Sequence, residues 1–221
     1  MFDITKLALK IPNFLTHEEC DRLVNEFEQN KDRAMLESSL DYNTNEHRYS
    51  SFKVIPLIPR TNNFNLVKEK TKKAIDIWIK YLDQPKYFFT HLLKTNLKFS
   101  HNYRIMKYGT GAKIHPHSDY YPTIFGSISF NLNDDYEGGE FKFFNGNYTV
   151  KLNKGDALIF PADYFWVHEV TSVTKGNRYS INSFLGSYPN IPNHQGNVIK
   201  DYLTKEYIDN TPLEELLGPY N

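Results

Sequence analysis

Apolar positions change their period part-way along the chain, and the change divides it. Within PNFLTHEECDRLVNEFEQN, Cys20, Leu23, Val24 and Phe27 recur at three- and four-residue steps, the spacing of one helix face. Thr16 stands where its hydroxyl can accept from first-turn N–H groups, and Glu19 follows three residues later, the spacing of a capping box. A second stripe, Val67, Ala74, Ile75, Trp78 and Leu82, predicts a helix from about Leu66 to Leu82, and Pro85 ends any continuation. A short strand over Leu7 to Ile11 precedes the first helix. Residues 30–62 mix Asn and Asp clusters with short apolar runs such as SFKVIPLI; an irregular strand fits there, and the stretch reads equally as a lid or as an ordinary surface loop.

From residue 97 the period falls to two. Candidate strands lie at 97–108, 112–118, 124–132, 139–144, 147–152, 157–161, 166–172 and 178–185, separated by Gly, Asn, Asp and Pro turns. The Asn145-Gly146 pair favours a primed hairpin turn. Helices followed by many short antiparallel strands predict a mainly β fold with flanking helices, the helices buttressing one sheet of a barrel or sandwich. A single domain over 1–221 is expected, with a helical support region over 1–96, a β core over 97–186 and a C-terminal extension over 187–221 that wraps the body.

Composition narrows the classes. The 221 residues fit one core, and 40% hydrophobic with 24% charged is globular composition. The 16 Tyr and 16 Phe suit a β-rich core, because wide flat side chains pack well on pleated surfaces. Basic and acidic residues number 26 each, so no long-range attraction to phosphate backbones is expected and a nucleic-acid partner is not indicated. The one cysteine, Cys20, excludes an internal disulfide and any Cys-rich metal site, and its place in an apolar pattern makes it a small core residue. No apolar run reaches the length of a membrane span and MFDITKLALK lacks a secretory apolar segment, so a soluble cytoplasmic or otherwise intracellular protein is expected.

The chemistry concentrates in HPHSDYY and FWVHEVTSVTKGNRYS. His117 and Asp119 are one residue apart; on a strand, positions i and i+2 share a face, so an imidazole and a carboxylate can converge on one ion. His168 follows in another short apolar strand. Two imidazoles and one carboxylate on a single octahedral face leave positions open for a keto acid and dioxygen, an arrangement suited to non-haem Fe(II) oxygenases. The aspartate argues against a halogenase, in which a halide takes that coordination position. Arg178, on the strand after a Gly-containing turn, can clamp a distant carboxylate in a two-pronged contact, with Ser180 on the same face as a second donor.

KYGTGAKIHPHSD, the GGE turn at 138–140 and FPADYFWVHEVTSVTKGNRYSINSF together resemble the prolyl 4-hydroxylase-like branch of the 2-oxoglutarate and Fe(II) dependent oxygenases, over about residues 97–186. The resemblance implies a double-stranded β-helix (jelly roll, cupin-like) core, with His117, Asp119 and His168 as iron ligands. It assigns Arg178 to the far carboxylate of 2-oxoglutarate. Tyr108 is implied as a further donor to that cosubstrate, with Tyr103 close enough in sequence to compete, and Asn131 falls where the family points polar residues at it. Catalytic His117, Asp119, His168 and Arg178 would then use Fe(II), 2-oxoglutarate and O2, with ascorbate as a supporting reductant.

Beside that reading stand plainer ones. His115 shares the parity of His117 and suits a turn or the substrate side. Trp166 suits core packing, and Tyr120, Tyr121, Tyr164 and Phe165 either line a substrate mouth or reflect an aromatic-rich chain. For the substrate, the resemblance favours a peptidyl proline on a peptide or protein. Another amino-acid side chain, a small molecule and a non-catalytic β-barrel binding module stay open as alternatives.

Overall fold

The computed structural model of the chain describes residues 3–41, 46–84 and 90–187. In chain order the strand β1 (Leu9–Ile11) leads to helix α1 (His17–Gln29), followed by β2 (Met35–Asp41) and β3 (Glu46–Pro56). Helices α2 (Asn62–Asp83) and α3 (Thr90–Asn96) come next, then β4 (Phe99–Tyr108), β5 (Ile114–His117) and β6 (Ile124–Asn131). The remaining strands are β7 (Glu137–Gly138), β8 (Phe141–Phe143), β9 (Tyr148–Val150), β10 (Ala157–Pro161), β11 (His168–Val170), β12 (Val173–Lys175) and β13 (Arg178–Gly186).

These strands form three antiparallel sheets. The largest has seven strands in the order β1-β10-β6-β13-β4-β3-β2, the second four in the order β5-β11-β8-β9, and the third pairs β12 with β7. Both larger sheets keep open edges among the described residues, so the result is a mixed β/α fold with flanking helices and no closed barrel.

Strand parity sorts the large sheet's two faces. Ala157 and Ile159 of β10, Ile128 and Phe130 of β6, Ile105 of β4 and Ile181 of β13 meet Leu23 and Phe27 of α1 and Val67, Ile75 and Trp78 of α2. The alternate residues Leu158 and Phe160 turn the other way and pack on Phe141, Phe143, Val150 and Val170 of the four-stranded sheet. One face thus carries the helices and the other faces a second sheet. Trp78 anchors the helical layer, its Nε1 donating to the Leu7 carbonyl at 2.8 Å.

Both long helices stand where the 3.6-residue pattern puts them, and α1 begins with the full capping box: Thr16 accepts from the Glu19 N–H while the Glu19 carboxylate accepts from the Thr16 N–H. Within residues 30–62 the strand expected over SFKVIPLI falls largely on β3; β2 pairs with it in a hairpin that extends the large sheet, so the segment before residue 97 supplies strands as well as helical support. Helix α3 and the two- and three-residue strands β7 and β12 were not foreseen. Asn145-Gly146 does not form a tight primed turn. Phe143 pairs with Tyr148, leaving a four-residue loop in which Phe144, Asn145 and Gly146 all have positive φ. Pro85 and the extension beyond Ser187 fall outside the described residues. Among the described residues, no helix is long and apolar enough to cross a membrane.

Because the capping box satisfies two end groups of the helix that covers the large sheet, Thr16→Ala is expected to cost about 1 kcal/mol. A lowered denaturant midpoint with an unchanged slope would register that loss, and an unchanged midpoint would mean the cap contributes nothing.

Candidate metal centre and carboxylate pocket

His117 closes β5, and His168 opens β11 directly opposite it in the antiparallel register. The pairing sets the two imidazoles 4.4 Å apart between ring centroids. Asp119 lies just past the strand end, so the carboxylate arrives from the loop after β5 and not from a second position on the strand itself. It reaches both rings: Oδ1 is 3.2 Å from His117 Nε2 and Oδ2 is 3.6 Å from His168 Nε2. One ligand atom from each residue lies within 4.8 Å of the other two.

The hydrogen-bond pattern decides which nitrogens face inward. His117 Nδ1 donates to the His115 carbonyl at 2.9 Å, and His168 Nδ1 donates to the Trp166 carbonyl at 3.0 Å. A carbonyl can only accept, so each Nδ1 carries a proton, and in the neutral imidazole Nε2 is left to turn a lone pair toward the centre, as metal-binding imidazoles do. Ser127, on the inner face of β6, donates to Asp119 Oδ2 at 2.6 Å and fixes the carboxylate from the other sheet.

Burial and charge act in opposition here. For Asp119, burial opposes ionisation, but His168, His117 and the Ser127 hydroxyl outweigh it and hold the carboxyl well below the usual range. Burial lowers His168 despite the Asp119 charge. In His117 burial pulls the same way, yet the hydrogen bond and charge of Asp119 prevail and raise it. An ionised carboxylate between two inward-facing Nε2 atoms is, once both rings are neutral, a donor set that a divalent cation satisfies, the cation taking the place of the proton that Asp119 favours on His117.

Arg178 begins β13 and points to the same inner face. It is 1% exposed, its Nη1 donates to Ser180 Oγ at 3.2 Å, and Nε and Nη2 find no hydrogen-bond partner. Its guanidinium lies over the Tyr108 ring at 4.9 Å and the Phe141 ring at 5.5 Å, so aromatic faces hold the cation without satisfying its remaining N–H groups. Gly139, at φ +71°, leaves the space its stem occupies: a Cβ there would stand 2.8 Å from Arg178 Cδ and 3.1 Å from Tyr136 Cε2.

The other residues singled out in the sequence divide by face. Tyr108 is fully buried beside Arg178, and burial pushes its phenol up to about 12, which keeps it a neutral donor. Tyr103 turns to the helices, meets Phe64 edge-on at 5.3 Å and hydrogen-bonds Ser100, so it stands away from Arg178. Asn131 is inward, register-paired with Ser180, but its amide is engaged: Nδ2 donates to the Asn133 and Leu152 carbonyls and Oδ1 accepts from Tyr136 at 3.1 Å. Trp166 packs between Phe143 and Phe144 in the core. Tyr120, Tyr164 and Phe165 are exposed on the loops flanking the ligands, the two tyrosine rings 4.1 Å apart, and Ser118 Oγ ties these loops by donating to the Asp163 carbonyl at 2.8 Å.

Sequence reading missed the Ser127 contact, the Tyr136–Asn131 bond and the role of Gly139. The inward parity of Ser127, Ser129 and Asn131 was legible; their partners depend on which strands lie opposite. Ser127→Ala is expected to weaken Mn(II) binding about 10-fold, the lower range for loss of an orienting outer contact. Titration calorimetry under nitrogen would show it, and unchanged affinity would mean that the two histidines alone position Asp119.

With this geometry in place, comparison with known proteins adds the family. The model of the 2OG-Fe(II) oxygenase superfamily matches residues 103–186, a span containing all three clustered residues and Arg178. No curated protein matches the chain by sequence. Among solved structures, the chain is similar to a viral collagen prolyl hydroxylase from Paramecium Bursaria Chlorella virus-1 in complex with 2OG, at TM-score 0.60 and 17% identity over 82% of this chain and 96% of that one. It is also similar to a Pseudomonas putida prolyl-4-hydroxylase, at 0.60 and 16% over 82% and 92%. A Trichoplax adhaerens prolyl hydroxylase in complex with a hypoxia inducible factor peptide fragment gives 0.61 and 15% over 83% and 84%. At these identities the structural likeness speaks for the fold. The family match, joined to the His–Asp–His cluster, establishes that the chain belongs to the 2OG-Fe(II) oxygenase superfamily and is an Fe(II)/2-oxoglutarate-dependent oxygenase.

Proposed function

We propose that the protein couples oxidative decarboxylation of 2-oxoglutarate to hydroxylation of a peptidyl proline. The observation that carries the cosubstrate reading is the bare face of Arg178: a fully buried guanidinium with two unpartnered N–H-bearing nitrogens calls for an anion. In this reading His117, Asp119 and His168 hold Fe(II), while Arg178 with Ser180 takes the far carboxylate of 2-oxoglutarate. Tyr108 walls the pocket and presents a neutral phenol, and Asn131 supports the wall through Tyr136. The facing sheets are then the halves of a double-stranded β-helix of jelly-roll, cupin-like type, and residues 1–221 make one oxygenase domain.

Each residue's part follows from its surroundings. The two Nδ1–carbonyl bonds and Ser127 fix the three ligands before a metal arrives, so little ordering remains to be done on binding. Arg178 orients the cosubstrate from its far end, and the rings around it exclude water, which strengthens the charge contact. When bound, Fe(II) with 2-oxoglutarate and O2 supplies the oxidising equivalents for hydroxylation and releases succinate and carbon dioxide, with ascorbate as a supporting reductant.

A proline-containing peptide is supported by the likeness to three prolyl hydroxylases and by the exposed Tyr120, Tyr164 and Phe165 at the rim, which offer apolar surface to a chain segment. Succinate formation with Fe(II), ascorbate and O2, with and without a pool of capped proline-containing peptides, tests the reading by mass spectrometry. Peptide-stimulated succinate together with a gain of one oxygen atom on proline is expected. Succinate without such a gain would transfer the reading to another side chain or a small molecule. Separately, Arg178→Ala is expected to weaken 2-oxoglutarate binding about 30-fold or more, the equivalent of ~2 kcal/mol for a truncated buried charge contact, with Mn(II) binding retained. Equal loss of both ligands would make the arginine structural.

A further inference from the structure

Two arginines reach the inner face of the large sheet, and they differ. Arg178 is bare, as described above. Arg104 lies four residues before Tyr108 on β4 and shares its parity; its register partner is Asn182 of β13, which in turn faces Ser129 of β6. This second row lies nearer the metal end, because the next inward position on β13, Phe184, is paired with Ser127, the residue that holds Asp119. Arg104 is 5% exposed, its guanidinium lies over the Phe184 ring at 5.4 Å, and its Nη2 is 3.0 Å from Glu37 Oε1.

Glu37 comes from β2, the edge strand of the hairpin, and keeps about a quarter of its side chain exposed. The Phe184 ring under Arg104 is register-paired with Ser127, whose hydroxyl holds Asp119, so the pair stands one row from the metal cluster. Ser129 Oγ donates to Asn182 Oδ1 at 2.9 Å, so the middle of this row is internally satisfied and the Arg104–Glu37 pair is its outward end.

The two cations ask for different ligands. A bare buried guanidinium is completed by an anion, whereas one already neutralised by a carboxylate offers donors and acceptors side by side with no net charge. The group that matches such a pair is itself dipolar, with a carbonyl for the guanidinium and an N–H for the carboxylate.

Resting on the oxygenase reading above, we propose that Arg104 and Glu37 form the substrate-reading contact of the site, recognising a peptide group of the second substrate beside the residue to be hydroxylated. The hairpin β2–β3 is then part of the substrate site and not only an extension of the sheet. A free anionic small molecule would meet Glu37 as a like charge and is disfavoured.

The test uses the full chain loaded with Mn(II) and 2-oxoglutarate, in wild type, Arg104→Glu, Glu37→Arg and the double exchange, with the capped peptide pool and the anion N-acetyl-L-proline as probes. Peptide binding is read by calorimetry, thermal midpoint by scanning, and 2-oxoglutarate binding separately. Wild type is expected to bind peptides and not N-acetyl-L-proline, with each single variant losing at least about 10-fold in peptide affinity, the scale of one charge-assisted hydrogen bond. The double exchange is expected to restore the midpoint without restoring peptide affinity, since the reversed pair still ties β2 to β4 but presents its dipole backwards. Recovery of both would reduce the pair to a structural tie and overturn the proposal. So would single variants that bind peptides as wild type does, or a wild type that prefers N-acetyl-L-proline or binds no peptide. If 2-oxoglutarate still binds in those cases, the oxygenase reading stands; if it does not, that reading fails as well.

Discussion

The large sheet presents two unlike faces, and the rest of the molecule depends on keeping them apart. A one-residue slip of any central strand would send its apolar set into the site and its polar set under the helices. On β6 the slip would exchange Ile128 and Phe130 for Ser127, Ser129 and Asn131. The helices therefore contribute to function without touching it: by burying Ile105, Ile128, Phe130, Ile159 and Ile181 they fix the register that points Arg104, Tyr108, Ser127, Arg178 and Ser180 the other way. The covering layer is itself held at its start by the Thr16–Glu19 box and along its length by Trp78.

The metal cluster is built where that frame meets much smaller elements. His117 and His168 stand on strands of four and three residues, and Asp119 stands on none. Such short pieces hold position only through their neighbours. The β5–β11 pairing sets one imidazole against the other, two backbone carbonyls turn the rings, and Ser127 reaches across from the large sheet to the carboxylate. Removing any of these leaves the ligand residues present but less well aimed, which is why outer contacts matter to affinity.

Much of this was legible in the chain, for reasons that also explain the rest. Long elements announce themselves by period, so α1, α2 and most strands after residue 97 could be read. The three ligands stood out because their spacing has few other uses, and Arg178 because it follows His168 after a Gly-containing turn; the turn does not lay the two strands side by side, since β11 and β13 belong to different sheets with β12 between them. What escaped was set by pairing between distant segments. Ser127 and Asp119 meet through the placement of β6 against the loop after β5, and Glu37 and Arg104 are 67 positions apart in the numbering. The apolar run SFKVIPLI marked much of β3, but β2 was hidden because an edge strand with many polar residues resembles a loop. Asn145-Gly146 misled because Phe144 also takes a positive φ, spreading the reversal over a wider loop than the dipeptide implies.

Tyr108 and Asn131 show the limit of assigning roles by parity alone. Both point inward, yet their surroundings give them different work. Tyr108 lies under the Arg178 guanidinium with its phenol held neutral, whereas the Asn131 amide is engaged by two backbone carbonyls and Tyr136. A fully engaged amide cannot greet a ligand without first breaking a buried hydrogen bond, a loss of about 1–3 kcal/mol that binding would have to offset. Its contribution is therefore to stiffness: it joins β6, the turn after it and Tyr136, whose ring edge and the Arg178 stem both crowd the space where a side chain on Gly139 would begin. A buried cation with two unsatisfied nitrogens keeps its position only if its walls resist collapse, and Asn131 is one of the residues that supply that resistance.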